Sequence, residues 1–186
     1  MHLVRDPLPR PSRGDPQVSA PRPVRLLVCG NGDRGDDGAA LAAVAGLLAG
    51  LPPHLLAVLD VRRCEQLDLD DLLELPDMAA CVITDAVVGL TPGEVVVIPL
   101  TELPQRDAAA GPVPRSSHVL PIGQLVAIAE VMREHPLEGF FVGIGGRSFG
   151  FGRGIGRPVR AALPAFRAAI ESALIDAAAS VGTRVV

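Results

Sequence analysis

The 186-residue sequence contains no lysine, because all 17 of its basic residues are arginine. A Walker A phosphate loop needs a lysine that contacts the phosphates, and Schiff-base catalysis needs a lysine amine, so both chemistries are excluded. Alanine, glycine and proline are abundant. We therefore attribute the preference for arginine to a GC-rich genome and not to a function.

Cysteine is scarce, and long apolar segments are missing. Cys29, Cys64 and Cys81 form no CxxC pair, so neither a zinc knuckle nor a thioredoxin-type site is indicated. The N-terminus lacks the apolar core of a signal peptide, and no apolar stretch reaches the length of about 20 residues that a membrane span needs. We expect a cytoplasmic protein without a membrane partner. A net charge of −4 gives no indication of nucleic acid as a partner.

Length and composition predict one folded domain. The hydrophobic content of 48% and the charged content of 20% are typical of a soluble globular protein. Residues 1–23 hold six prolines and four arginines with little apolar periodicity, which predicts a flexible N-terminal tail. Residues 24–180 are predicted to form a single α/β domain.

Apolar periodicity predicts alternating strands and helices in that domain. Predicted strands cover 24–29, 55–61, 80–84, 94–98 and 140–144. Predicted helices run from Asp36 or Asp37 to Leu48, from Asp68 to Leu75, from Ile122 to Arg133 and onward from about Pro158, and 101–117 is predicted as a loop. This alternation predicts a three-layer α/β sandwich, a mostly parallel five-stranded sheet with helices on both faces. Ligand sites in such sheets form at the carboxyl ends of the strands, which selects the loops 30–37, 85–93 and 145–156.

Three polar residues near these edges are candidates for chemistry. Of the adjacent Asp36 and Asp37, one can cap the predicted helix, and Asp36 suits that role better, which leaves Asp37 to face the crevice. Asp85 ends an apolar strand, where a carboxylate must be solvated, paired or bound to a metal, although it could also cap a turn. His118 precedes a helix, where a surface or capping role is the ordinary alternative.

Two other motifs suggest different functions. Gly30, Gly32 and Gly35 match the dinucleotide-binding pattern GxGxxG, but the acidic residues of this loop would repel a pyrophosphate, and Asp60 lies too far along the chain for the ribose-binding carboxylate. The segment 146–150 matches the GxSxG elbow of serine hydrolases around Ser148. The catalytic triad of that fold requires a histidine after the serine in the chain. No histidine follows Ser148, so a serine hydrolase is disfavoured.

The loops together resemble a known family. Three motifs of the chain occur in the order and spacing of the hydrogenase maturation proteases. They are Gly30-Asn31 through Asp36-Asp37-Gly38, then Asp85-Ala86 with Pro92-Gly93, and then Ser116-Ser117-His118. Those proteins are nickel-dependent endopeptidases that trim the large subunit of [NiFe] hydrogenases. The resemblance extends over roughly residues 24–175.

The resemblance implies roles for the three candidate residues. Asp37, Asp85 and His118 would contact nickel, and Asp37 and Asp85 would be catalytic. The nickel would be carried by the partner, a [NiFe] hydrogenase large-subunit precursor, and one peptide bond near the precursor's C-terminus would be hydrolysed. A carboxylate acting as general base also suits Asp37. The alternatives are a non-catalytic chaperone or binding module for the nickel-bearing precursor, and a nucleotide-binding protein that uses the Gly32 loop.

Overall fold

A computed structural model describes residues 22–109 and 120–179 of the chain. The strands are β1 (Val24–Cys29), β2 (Leu59–Cys64), β3 (Ala80–Val87), β4 (Val95–Pro99) and β5 (Gly139–Gly145). The α-helices are α1 (Ala39–Leu47), α2 (Pro53–Leu56), α3 (Leu69–Leu73), α4 (Leu103–Ala109), α5 (Ile122–Arg133) and α6 (Arg157–Ala179). Short 3-10 helices cover Gly35–Gly38, Leu48–Gly50 and Leu100–Glu102.

The five strands form one sheet in the order β2-β1-β3-β5-β4. Its pairs are parallel except for β4 and β5, which are antiparallel. The carboxyl ends of β1, β2, β3 and β5 therefore lie at one edge of the sheet, which we call the carboxyl edge. The predicted α/β fold, with a mostly parallel five-stranded sheet, is confirmed.

Helices cover both faces of the sheet, so its central strands are apolar on both sides, as buried parallel strands must be. One layer contains α1 and α6, whose side chains pack against Leu26, Val28 and Val82. The other contains α3, α4 and α5, which pack against Leu27, Cys29, Cys81 and Ile83 of the opposite face. Every residue of β1 is buried. These two layers fix β1 and β3 as the centre of the molecule.

Several segments differ from the prediction. The predicted strand 55–61 is wrong in its bounds, because Pro53 begins the short helix α2, where proline is tolerated in the first turn, and β2 starts only at Leu59. The predicted loop 101–117 contains α4, and Pro104 lies in the first turn of that helix. Residues 110–117 lie outside the described part. In addition, β3 continues to Val87 because it pairs with β5 as far as Gly145.

The beginning of the described chain is attached to the domain. The Arg22 side chain forms an ion pair with Glu138, and the Pro23 carbonyl accepts a hydrogen bond from the Ala80 N–H at 2.9 Å. The folded part therefore includes Arg22 and Pro23 of the predicted tail, while 1–21 lie outside the described residues. Within the described residues, no helix is long and apolar enough to cross a membrane.

Candidate functional site

Asp37 is held at the carboxyl edge by a compact loop that follows β1. Gly30 has φ of +121°, and a Cβ there would collide with the Asp37 carbonyl oxygen, so the turn requires glycine. The Asn31 N–H donates to Asp37 Oδ2 at 2.9 Å. Only 2% of Asp37 is exposed. The loop thus fixes a carboxylate just beyond the end of the central strand.

Asp85 lies within β3 and not after it, and 1% of it is exposed. The Ala86 N–H donates to Asp85 Oδ1 at 2.8 Å. Because side chains alternate along a strand, Asp85 shares its face with Ile83, the face that α5 covers. The 3-10 helix that carries Asp37 contacts β3. The fold therefore brings the two predicted carboxylates to the same edge on neighbouring elements.

His118, the third predicted residue, lies outside the described residues. The helix α5 begins at Ile122, four positions later in the sequence, and packs on the face of the sheet to which Asp85 belongs. Among the described residues, no three His, Cys, Asp or Glu side chains converge on a point where they could hold a metal ion. A metal site at this edge would thus need a ligand beyond Asp37 and Asp85.

Asp36 does not cap the helix, so the capping interpretation is wrong for it. Its Oδ2 accepts hydrogen bonds from the Arg147 and Ser148 N–H groups, both at 2.9 Å, and its Oδ1 accepts one from Gly156 at 2.6 Å. Arg34, the N-cap residue before the 3-10 helix, makes no capping hydrogen bond with its side chain. Burial acts to raise the pKa of Asp36, but the three N–H donors outweigh it and lower that pKa. Asp36 is therefore an ionised anchor for the loop 146–156.

Ser148 belongs to that anchored loop and not to a nucleophile elbow. Its carbonyl accepts a hydrogen bond from the Asp36 N–H at 2.7 Å, and it also blocks any Cβ at Gly35, where φ is +66°. The next helix, α6, begins only at Arg157. A serine nucleophile needs a helix directly after it. The structure therefore gives Ser148 a structural role.

The glycines that match the dinucleotide pattern serve close packing of the loop. Gly30 and Gly35 lie against carbonyl groups of this chain, as described above, and a Cβ at Gly38 would stand 3.0 Å from Gly32. Asp60, the candidate for ribose binding, forms an ion pair with Arg25 at 2.8 Å near the beginning of β2, away from the carboxyl edge. This arrangement disfavours a dinucleotide site.

A pair of thiols beside the site was not foreseen from the sequence. Cys29 and Cys64 occupy paired positions on β1 and β2, with their Sγ atoms 3.0 Å apart. The hydrogen bond with Cys64, burial and the nearby Asp85 carboxylate raise the pKa of the Cys29 thiol well above its ordinary value. Cys64 also lines an open pocket of about 250 Å³, together with Gly30, Asn31, Gly32, Leu41, Arg63 and Glu65. Only the sheet order, β2 beside β1, could have revealed this pair.

Several solved structures with a similar fold are described as hydrogenase maturation proteases or endopeptidases. The [NiFe] hydrogenase maturation protease HybD from Thermococcus kodakarensis is 24% identical, with 83% of this chain and 99% of that chain covered and a TM-score of 0.61. The hydrogenase maturating endopeptidase HybD from E. coli is 20% identical over 83% and 93% of the two chains, with a TM-score of 0.66. HycI from T. kodakarensis, a [NiFe] hydrogenase maturation protease, is 18% identical over 84% and 95%, with a TM-score of 0.58.

No protein-family model and no curated protein sequence matches the chain at a significant level. At these identities the structural similarity establishes the fold and leaves the chemistry to the residues of the site. The fold that the sequence resemblance implied is thus present, with two of its three predicted polar residues buried at the carboxyl edge.

Proposed function

We propose that this chain is an endopeptidase that removes a C-terminal peptide from the nickel-loaded large-subunit precursor of a [NiFe] hydrogenase. The observation that carries the proposal is the pair Asp37 and Asp85, both almost fully buried at the carboxyl edge on elements that contact each other. A buried carboxylate is costly unless it is bound or paired, so such pairs mark functional sites. The similar fold of maturation proteases supports the same function. We place the reaction in the cytoplasm.

The nickel in this proposal belongs to the substrate. Two carboxylates and the imidazole of His118 form a donor set that suits a borderline divalent metal and leaves coordination positions open. When it is present, the metal can polarise the scissile carbonyl or lower the pKa of a bound water molecule. Requiring a metal that arrives with the precursor would restrict cleavage to precursors that are already loaded.

The chain's own residues supply orientation and basicity. The Asn31 N–H fixes the Asp37 carboxylate through Oδ2, and the Ala86 N–H fixes that of Asp85 through Oδ1, so neither needs to reorganise when substrate binds. A carboxylate held in this way can also accept a proton from the attacking water, which would make the enzyme an aspartic-type endopeptidase with Asp37 as general base.

Cleavage is tested by incubating the purified protein with nickel-loaded and nickel-free large-subunit precursor and measuring intact masses. We expect the loaded precursor alone to lose a short C-terminal peptide. A stable complex with unchanged mass would overturn the peptidase and support the non-catalytic binding module instead. Thermal stabilisation by NAD or ATP would favour the nucleotide-binding alternative.

Substitution of the two carboxylates should separate chemistry from folding. Asp37→Asn and Asp85→Asn keep the size of each side chain and remove its charge, so we expect the cleavage rate to fall at least about 100-fold, the scale of lost acid–base or electrostatic catalysis. Asp70→Asn, an exposed residue of α3, is the matched control and should cleave at the parental rate. Parental cleavage by either site variant, or by His118→Ala, would remove that residue from the site.

A further inference from the structure

One segment of the chain carries positive charge without any acidic residue. Residues 139–170 contain five arginines and no acidic residue, whereas the other 154 residues contain the remaining 12 arginines and all 21 acidic residues. The overall abundance of arginine reflects base composition, but this distribution does not follow from it. The segment includes the loop 146–156 that Asp36 anchors at the carboxyl edge.

The anchored loop carries one exposed aromatic ring, and an arginine from outside the segment lies over it. Phe151 is 73% exposed, and the Arg34 guanidinium lies 5.0 Å from the centre of its ring. The backbone of Arg34 forms a bridge with that of Arg153, and the Arg160 guanidinium donates to the Ile155 carbonyl at 2.8 Å. We call Arg34, Arg147, Phe151, Arg153 and Arg160 the arginine surface.

The arginines of this surface form no ion pair with any carboxylate of the described residues. Elsewhere in the described part of the chain, most arginines do pair, and the paired ones are Arg22, Arg25, Arg62, Arg106 and Arg133. Arg147, Arg153 and Arg160 are exposed. Their guanidinium groups are therefore available to carboxylates from another molecule, which a guanidinium can bind through two parallel hydrogen bonds.

The surface is held in place before any partner arrives. Three N–H groups of the loop bind the Asp36 carboxylate, and the Arg34 guanidinium donates to the Phe149 carbonyl at 3.3 Å. A preorganised loop loses less conformational entropy on binding than a mobile one. Asp36 precedes Asp37 directly in the sequence, so the loop that carries most of the arginine surface is anchored one residue away from the proposed site.

We propose that the arginine surface binds a short acidic segment of the partner protein, with an apolar side chain of that segment resting on Phe151. Charge complementarity selects carboxylates, and the acidic remainder of the chain disfavours a long polyanion such as nucleic acid. This inference rests on the proposed function, since it assigns the acidic segment to the hydrogenase precursor that is cleaved nearby.

Binding can be measured without cleavage. The probes are a fluorescent ten-residue peptide of glutamates around one leucine, the same peptide with glutamine in place of glutamate, and a ten-nucleotide single-stranded DNA. We expect binding of the glutamate peptide alone, weakening as salt rises. The triple variant Arg147→Gln/Arg153→Gln/Arg160→Gln should weaken it by about tenfold or more, the sum of several exposed charge pairs. Arg106→Gln, on α4, is the matched control and should bind like the parent.

Each outcome decides the inference separately from the proposed function. Equal or tighter binding of the DNA, or glutamate-peptide binding that the triple variant retains, would overturn the acidic-segment assignment, and so would a lack of binding. If the parent protein self-associates and the triple variant does not, the arginine surface binds a second copy of the chain, and the acidic-segment assignment is overturned as well. With loaded precursor, the triple variant should raise KM and leave kcat near the parental value. Peptide binding without any cleavage would overturn the proposed function alone.

Discussion

Asp36 and Asp37 show how two identical neighbouring residues acquire different roles. Both are 2% exposed, but Asp36 accepts three N–H donors from a distant loop, whereas Asp37 accepts the Asn31 N–H of its own loop. Which backbone groups surround a carboxylate decides whether it serves as an anchor or as part of a site. At the residue scale, this is the distinction that substitutions can test.

Asp36→Ala should destabilise the fold by about 3 kcal/mol, because it removes charge-assisted hydrogen bonds and leaves buried donors unsatisfied. Urea unfolding followed by circular dichroism measures the free energy of unfolding. Asp70→Ala serves as the control, since that side chain is exposed on α3, and should change this free energy little. A loss of under about 1 kcal/mol, the range of an exposed surface substitution, would contradict the anchoring role.

The three thiols should differ in reactivity. Burial raises the pKa of Cys81 to about 12, so its thiolate is absent at neutral pH and the folded protein should protect it from iodoacetamide. Cys64, which lines the open pocket, should be alkylated first. Because Cys29 Sγ is 3.0 Å from Cys64 Sγ, treatment with a mild thiol oxidant should instead join these two in a disulfide. Peptide mapping by mass spectrometry would identify the linked cysteines, and a Cys81 linkage would contradict the geometry.

At the scale of elements, apolar residues were enough to predict the bounds of a strand or helix where its burial follows one pattern throughout. The bounds of β1 and α5 agree with the prediction, because β1 is a short buried run that ends before Gly30 and α5 carries an apolar stripe at helical spacing. Prolines caused the errors at α2 and α4. Proline can end a helix or stand in the first turn of a new one, and only tertiary contacts decide which of these occurs. The antiparallel direction of β4 also had no local signal, because direction depends on the path of the connecting chain.

Pro164 lies inside α6, where it cannot donate the backbone hydrogen bond that a helix interior requires. Pro164→Ala should raise the free energy of unfolding by about 1–3 kcal/mol, since the helix has room for the restored bond at this exposed position. Pro158→Ala is a matched control in the first turn, where proline costs little, and should have a smaller effect. Thermal unfolding of both variants gives the comparison. Equal changes would show that the position within the helix does not matter.

At the scale of the whole molecule, the carboxyl edge could be predicted but the contacts across it could not. Strand ends indicated Asp37 and Asp85, because parallel strands place their loops together. The link from Asp36 to Arg147, Ser148 and Gly156 joins residues more than 100 positions apart. No pattern within a local window encodes such a pairing, which requires the order of the strands.

The pH dependence of stability should carry the signature of Asp36. Its folded-state pKa is lowered below the ordinary 3.8, so its charge contributes stability fully above that value, and this contribution is lost as pH falls through the lowered folded pKa. Asp36→Asn should therefore differ most from the parent at about pH 6, and the difference should shrink below about pH 3.8. Urea unfolding across this range measures it. A difference that is constant with pH would assign the effect to shape and not to charge.

The hydrogen bonds that join the loop 146–156 to Asp36 come from backbone N–H groups, so they do not depend on the side chains of the loop. Position 147 can therefore exchange its side chain for any other except proline, which has no N–H, without loss of the frame. Position 156 is restricted to glycine, because a Cβ there would stand 2.9 Å from Asp36 Oδ1. For protein engineering, side chains of this loop can be substituted to change which partner the protein prefers, while Asp36 keeps the backbone of the loop in place.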